Sequence, residues 1–160
     1  MMVIIRFATD EELTLDVETL ENANLEGLNL HRALLSDANL SHVNLRSANL
    51  RNAFLENTDL SYADLREANM IMAECEKADL SHANMQGALM RYARFMNADL
   101  TNTVLLNANV GRAKFSEAKL HGADMRCLDI DEAEFEGAFF NEQTIWPDNF
   151  DPIKHGAISS

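Results

Sequence analysis

Every residue whose number is a multiple of five, from Leu25 to Phe140, is Leu, Met, Phe, Ile, Val or Cys. Read in fives from Ala23, the chain runs ANLEG, LNLHR, ALLSD, ANLSH and onward to AFFNE at 138–142, which is 24 units without an insertion. The first place is Ala in 19 of them and the second is Asn or Asp in 14, while the last two places are mostly polar. A fixed internal period constrains the fold more than local propensity does.

A period of five excludes two ordinary elements. On an α-helix, at about 100° per residue, the apolar positions would drift by roughly 140° per unit and scatter around the axis. On a continuous strand the odd period would turn successive apolar residues to opposite faces. A short extended piece followed by a turn satisfies the pattern. First and third residues then point inward, the second points outward between them, and the last two turn a corner. Asn and Asp at the second place suit this, because their side chains bond nearby backbone and favour turns.

Like residues recur at a stride of 20. Third places read Leu35, Leu55, Cys75, Phe95, Phe115, Phe135, and fourth places read Ser41, Ser61, Ser81, Thr101. The stride predicts a square coil of four units, six coils in all. At about 4.8 Å per coil the body is roughly 29 Å long. The fold class expected is all-β, a solenoid with terminal caps.

These units resemble the A(D/N)LXX motif of the pentapeptide-repeat family over residues 23–142, and Leu15 and Leu20 hold the same register. The resemblance implies a right-handed quadrilateral β-helix. Departures are mild: Leu28, Val43, Thr58, Thr103 and Leu128 stand where Ala is usual, and Leu34, Phe54, Leu89, Val104 and Phe139 where Asn or Asp is usual.

The organisation expected is an N-terminal cap at 1–22, the repeat body at 23–142 and a C-terminal cap at 143–160. MVIIRF reads as a strand covering the first coil, and Thr9-Asp10-Glu11-Glu12 fits a capping box with a short helical turn. The tail TIWPDNFDPIKHGAISS resembles the Trp-Pro…Phe-Asp-Pro endings of many cyanobacterial members of the family. Ile145, Trp146, Phe150 and Ile153 are expected to plug the last coil or to form a homodimer contact, so the chain is a monomer or a homodimer through this cap. A solenoid needs such a cover, since its end coils otherwise expose apolar interior and strand edges.

No reaction chemistry is legible. Asp79, Ser81 and His82 carry the residue types of a hydrolytic triad, but they fall on second, fourth and fifth places of one outward wall. A triad needs serial hydrogen bonds and a sheltered oxyanion site. The units one and two coils earlier read Asp59-Ser61-Tyr62 and Asn39-Ser41-His42, which makes the trio a surface ladder. Cys75 is expected inside and Cys127 outside, both as free thiols. No enzyme activity, cofactor or metal site is expected. The short apolar start and the lack of any run of about 20 apolar residues point to a cytoplasmic chain without a membrane span.

The net charge of −13 argues against direct nucleic-acid binding. The repeat body holds 18 acids and 11 bases, and residues 1–22 hold six acids and Arg6. One wall carries Arg32, Arg51, Arg91 and Arg112. The resemblance brings one specific activity into view, because some family members resemble duplex DNA, bind DNA gyrase and lessen fluoroquinolone action. Duplex carries one charge per about 1.7 Å, or roughly 17 over this length, far denser than this body. The preferred expectation is a protein-interaction surface or scaffold for an unidentified protein partner, and the alternative is a DNA-mimicking inhibitor or protector of DNA gyrase. Ile71, Met72, Leu89, Tyr92 and Met96 form the expected contact patch, because apolar residues there occupy places that are otherwise polar.

Overall fold

The computed structural model describes residues 2–160. From Asn24 onward, second-place residues pair in parallel with those one coil later, as in Asn24↔Asn44, Asn29↔Asn49, Leu34↔Phe54 and Asn39↔Asp59. Four columns of bridges result, one per side of a square coil. We number the walls by their first unit: wall 1 starts at Ala23, wall 2 at Leu28, wall 3 at Ala33 and wall 4 at Ala38.

Each unit bonds to both neighbouring coils. The Asn44 N–H donates to the Ala23 carbonyl at 2.9 Å, the Leu45 N–H to Asp64 at 2.8 Å, and the Ser47 N–H to Arg66 at 2.9 Å. Within the unit, the first-place N–H of the next unit closes the corner, as from Ala48 to the Leu45 carbonyl at 3.0 Å. The corner has a second lock. The second-place side chain accepts from the fourth-place N–H, as Asn39 does from Ser41 and Asp99 from Thr101, each at 3.0 Å.

Every fifth place from Asn22 to Gly122 has positive φ, between 55° and 63° for the residues other than Gly. Positive φ at the second central residue is the mark of a type II turn. β-branched residues fit this conformation badly, and none of the fifth places from Gly27 to Glu142 is Val, Ile or Thr.

The interior is apolar and close-packed. First-place Ala and third-place Leu, Met and Phe form one continuous buried cluster. Phe95, Phe115 and Phe135 stack on wall 3 with centroids 5.2 Å apart and planes tilted by 6°. Thr58 and Thr103 replace Ala inside, and their hydroxyls donate to the Leu35 and Leu80 carbonyls at 3.0 and 2.8 Å. A buried hydroxyl without such a partner would cost about 1–3 kcal/mol.

The register is not unbroken. Leu128, not Asp129, pairs with Asn109. Cys127 swings inward with 8% of its surface exposed, and Leu128 lies outside at 52%. The outward position expected for Cys127 is therefore wrong. The reason is steric. Bulky Leu128 would fall on an Ala place, so the corner tightens by one residue and the smaller Cys127 takes that place. Asp129, in left-handed conformation at φ 56°, is the compensating extra residue before a 3-10 turn at Ile130–Glu132. By Lys114↔Glu134 the stride is 20 again.

At the N-terminus, β1 (Val3–Phe7) and β2 (Glu12–Leu15) form an antiparallel hairpin. β1 also pairs antiparallel with β3 (Ala33–Leu34) on wall 3, and Ile5 is buried. The capping-box reading of Thr9–Glu12 fails, because those residues form the hairpin turn and the start of β2. Thr9 instead bonds the Glu11 carboxylate at 3.2 Å.

At the other end the coiling continues past residue 142. Thr144 takes an Ala place, with its hydroxyl on the Leu120 carbonyl at 2.8 Å, and Ile145 pairs with Asp124. β4 (Phe139–Phe140) then pairs in parallel with β5 (Ile158–Ser159). Of the residues expected to plug the last coil, Phe150 is buried and Trp146 is half-buried. Both close on Phe135, with centroids 5.5 Å away. Ile145 and Ile153 are exposed, Ile145 because it stands at an outward, bridge-forming place.

Candidate interaction surfaces

The triad-like residues make no triad. Ser81 and Asp79 meet only through the Ser81 backbone N–H, at 2.9 Å. His82 stacks on Tyr62 at 4.7 Å, and Tyr62 on His42 at 4.9 Å. The ladder expected of these columns is present, with the rings one coil apart on the corner that follows wall 4.

On wall 3, carboxylate oxygens of Glu56, Glu74 and Glu76 lie within 4.8 Å of one another. Burial, and then a hydrogen bond to Glu56, push the Glu74 carboxyl above its usual range. Arg94 pairs with Glu76, and the Ser36 hydroxyl donates to Glu56 at 2.5 Å. The sequence shows these acids, but their convergence follows only from the 20-residue stride applied to second and fourth places together.

A shallow dent of about 290 Å³ on the corner of wall 1 is lined by Arg46, Arg66, Glu67, Gln86, Gly87 and Asn107. Its charge is internally balanced. Arg66 grips Asp64 with two bonds of 2.8 and 2.5 Å and holds that carboxyl below its ordinary value, and Arg46 lies 3.6 Å from Glu67. The thiols are inert by position. Burial raises Cys75 well above the usual thiol range and Cys127 to about 12.

The expected contact patch divides. Ile71 and Met72 lie on the corner that ends wall 2 in the third coil. Leu89 stands on wall 2 one coil later, and Tyr92 sits directly above Met72. Met72, Leu89 and Tyr92 are 44%, 45% and 40% exposed. Ile71 is half-buried. Met96, also half-buried, belongs to the next corner, at the end of wall 3. Tyr92 is held from two sides. The Arg91 and Arg112 guanidinium carbons lie 5.9 and 5.6 Å from its ring centre, and Arg112 donates to its hydroxyl at 3.2 Å.

Fold and surface together define a quadrilateral β-solenoid that displays straight columns of side chains on a packed, invariant frame. The chain matches the family described as pentapeptide repeats, in eight copies, over residues 19–52, 38–73, 58–92, 93–127 and 112–142, and it belongs to that family. Its fold is the right-handed quadrilateral β-helix of pentapeptide-repeat proteins. Among solved structures it is similar to HetL, a pentapeptide repeat protein involved in heterocyst differentiation regulation from Nostoc sp. strain PCC 7120. That match has 25% identity and a TM-score of 0.45, covering 78% of this chain and 62% of HetL. The chain thus spans less than two thirds of HetL. It is also similar to alr5209, a pentapeptide repeat protein of Nostoc PCC 7120, at 28% identity and a TM-score of 0.41, covering 76% and 84% of the two chains. A third likeness is to trypsin-treated QnrB1, a plasmid-mediated fluoroquinolone resistance protein, at 21% identity and a TM-score of 0.36, covering 89% and 84%. No functionally curated protein matches the chain. Among the described residues, no helix is long and apolar enough to cross a membrane.

Proposed function

We propose that the protein is a non-enzymatic, cytoplasmic scaffold that binds another protein through its outer walls. The observation that carries this reading is the clustering of exposed Met72, Leu89 and Tyr92 on one side of a rigid frame. Contiguous exposed apolar surface often marks a contact site. The test is affinity capture from the source cell with the native chain and with Ile71→Asn, Met72→Asn and Tyr92→Asn combined. Asn tolerates the left-handed backbone of Met72 and Tyr92, so the fold is retained. Loss of capture by the triple variant is expected. Undiminished capture contradicts the patch.

One observation favours a second reading, a DNA-mimicking inhibitor of gyrase. Asp59, Asp79 and Asp99 are bridged in one column on wall 4. The column is diluted, however, because Lys119 extends it and pairs with Asp99 at 3.1 Å. A supercoiling assay decides the matter: absence of gyrase inhibition at micromolar protein removes this reading.

A further inference from the structure

Wall 2 departs from the charge pattern of the rest of the chain. Its first five units, LNLHR, ANLRN, ANMIM, ALMRY and ANVGR, contain four Arg and no Asp or Glu, in a protein of net charge −13. Acids return only in the sixth coil, at Asp129, Asp131 and Glu132.

Pairing sharpens the contrast. On walls 1, 3 and 4, six of the seven bases, Arg46, Arg66, Arg94, Lys114, Lys119 and Arg126, each face a carboxylate, and Lys77 is in no ion pair among the described residues. On wall 2, Arg112 reaches Glu132 at 3.6 Å, whereas Arg32, Arg51 and Arg91 are in no ion pair among the described residues. The frame explains why. Every wall-2 second place in these five coils is Asn or Leu, so no second-place carboxylate of this wall stands beside Arg32, Arg51 or Arg91, and Arg112 finds Glu132 only in the sixth coil.

The order of residues is informative. The fourth-place column reads Arg51, Ile71, Arg91 over three successive coils, with Met72 and Tyr92 beside the last two and Leu89 on the flat of the wall. Arg51 and Arg91 are two coils apart, roughly 10 Å at about 4.8 Å per coil. About three residues of extended chain span that distance at ~3.3 Å each. Guanidinium groups pair with carboxylates through two parallel N–H donors. Tyr92, held by Arg91 and Arg112 and 40% exposed, is a pre-ordered aromatic group beside Arg91.

We infer that wall 2 docks an acidic protein segment in extended conformation, with two carboxylates flanking an apolar side chain: the acids meet Arg51 and Arg91, and the apolar residue covers Ile71, Met72 and Tyr92. The inference rests on the scaffold reading above and names the chemistry of its partner. Charge complementarity selects this occupant. The acidic walls 3 and 4 repel nucleic acid and anionic membrane, and a short segment is narrow enough to lie on wall 2 alone.

The test uses the full chain and a fluorescein-labelled peptide, GEDLLDEG, read by anisotropy at low salt. Controls are GEDSSDEG, which lacks the apolar centre, GKKLLKKG, which reverses the charge, and a single-stranded RNA octamer. Protein variants are Arg51→Glu with Arg91→Glu, the milder Arg51→Gln with Arg91→Gln, and His82→Ser on the corner of wall 4. Melting curves establish that each variant is folded. The expected result is binding of GEDLLDEG that falls at least tenfold in the Glu variant, by an intermediate factor in the Gln variant, and not in His82→Ser. GEDSSDEG binds several-fold more weakly than GEDLLDEG. Absence of binding, equal binding by the Glu variant, or preference for GKKLLKKG or RNA overturns the inference. The two readings fail separately. Lysate capture that persists in the Arg51→Glu, Arg91→Glu variant removes the acidic-segment inference and leaves the scaffold reading standing, whereas capture by neither protein removes both.

Discussion

At the scale of single residues, the fifth place is the most demanding position in the unit. Eighteen residues other than Gly hold a left-handed backbone at fifth places between Asn22 and Glu117, a conformation that costs a residue with a Cβ about 1–2 kcal/mol. Asn and Gly tolerate it best. Asn97, at φ 59° and exposed, isolates the effect. Asn97→Val is expected to lower stability by about 1–2 kcal/mol, and Asn97→Gly to change it by less than about 0.5 kcal/mol, read from urea unfolding midpoints. The rule was visible in the sequence as the lack of Val, Ile and Thr at these places, but periodicity directs attention to apolar positions, and a constraint of avoidance is easily passed over. Outside the slipped unit at 128–132, the first, second and third places were legible. Ala63, Leu65 and Asp64 of a single unit show the narrow interior, the filler and the turn support that their chemistry implies.

At the scale of the unit and the coil, size at the first place decides the register. Leu28 is accepted in the first coil, at the end of the stack, where it is only half-buried. Leu128, on the last wall-2 unit and bridged to Asn109, is turned outward while Cys127 takes the inward place. Leu128→Ala is therefore expected to change stability by less than about 0.5 kcal/mol, unlike a buried Leu→Ala, which costs about 2–5 kcal/mol. Cys127→Leu is expected to cost about 1–3 kcal/mol by overpacking. Equilibrium unfolding of the two variants checks the pair. Letters alone kept a perfect count of five through LDIDE, so the slip was invisible without knowing how little room the coil leaves. The N-terminal hairpin was misread for a related reason: Thr9-Asp10-Glu11-Glu12 satisfies a helix-start pattern locally, but β1 finds a partner in β3, far along the chain.

Stacking also places like charges together. The Glu74 carboxyl is raised from its ordinary 4.5 by burial and by Glu56. A raised acid supports the fold below the unfolded value, and that support is lost as pH rises through the folded value. Glu74→Gln is thus expected to be more stable than the native chain at pH 7, with the gap closing below pH 4.5. Thermal melts across that range test the sign.

For the whole molecule, the charge of −13 hides an asymmetry. Composition suggested an acidic body, whereas sorting residues by wall separates a basic and apolar side from acidic ones. The Arg column and the apolar cluster on wall 2 were both legible as letters. That they share one wall was legible only once the stride of 20 was known, and that Arg32, Arg51 and Arg91 lack acidic neighbours required side-chain geometry. The frame makes this arrangement consequential, since successive coils about 4.8 Å apart hold guanidinium and apolar groups in fixed order along one column. Backbone amide chemical shifts during titration with GEDLLDEG measure the outcome wall by wall. The account predicts shifts concentrated at residues 51, 71, 72, 89, 91 and 92, with walls 3 and 4 unmoved. Shifts spread evenly over the four walls, or confined to the caps, would contradict it.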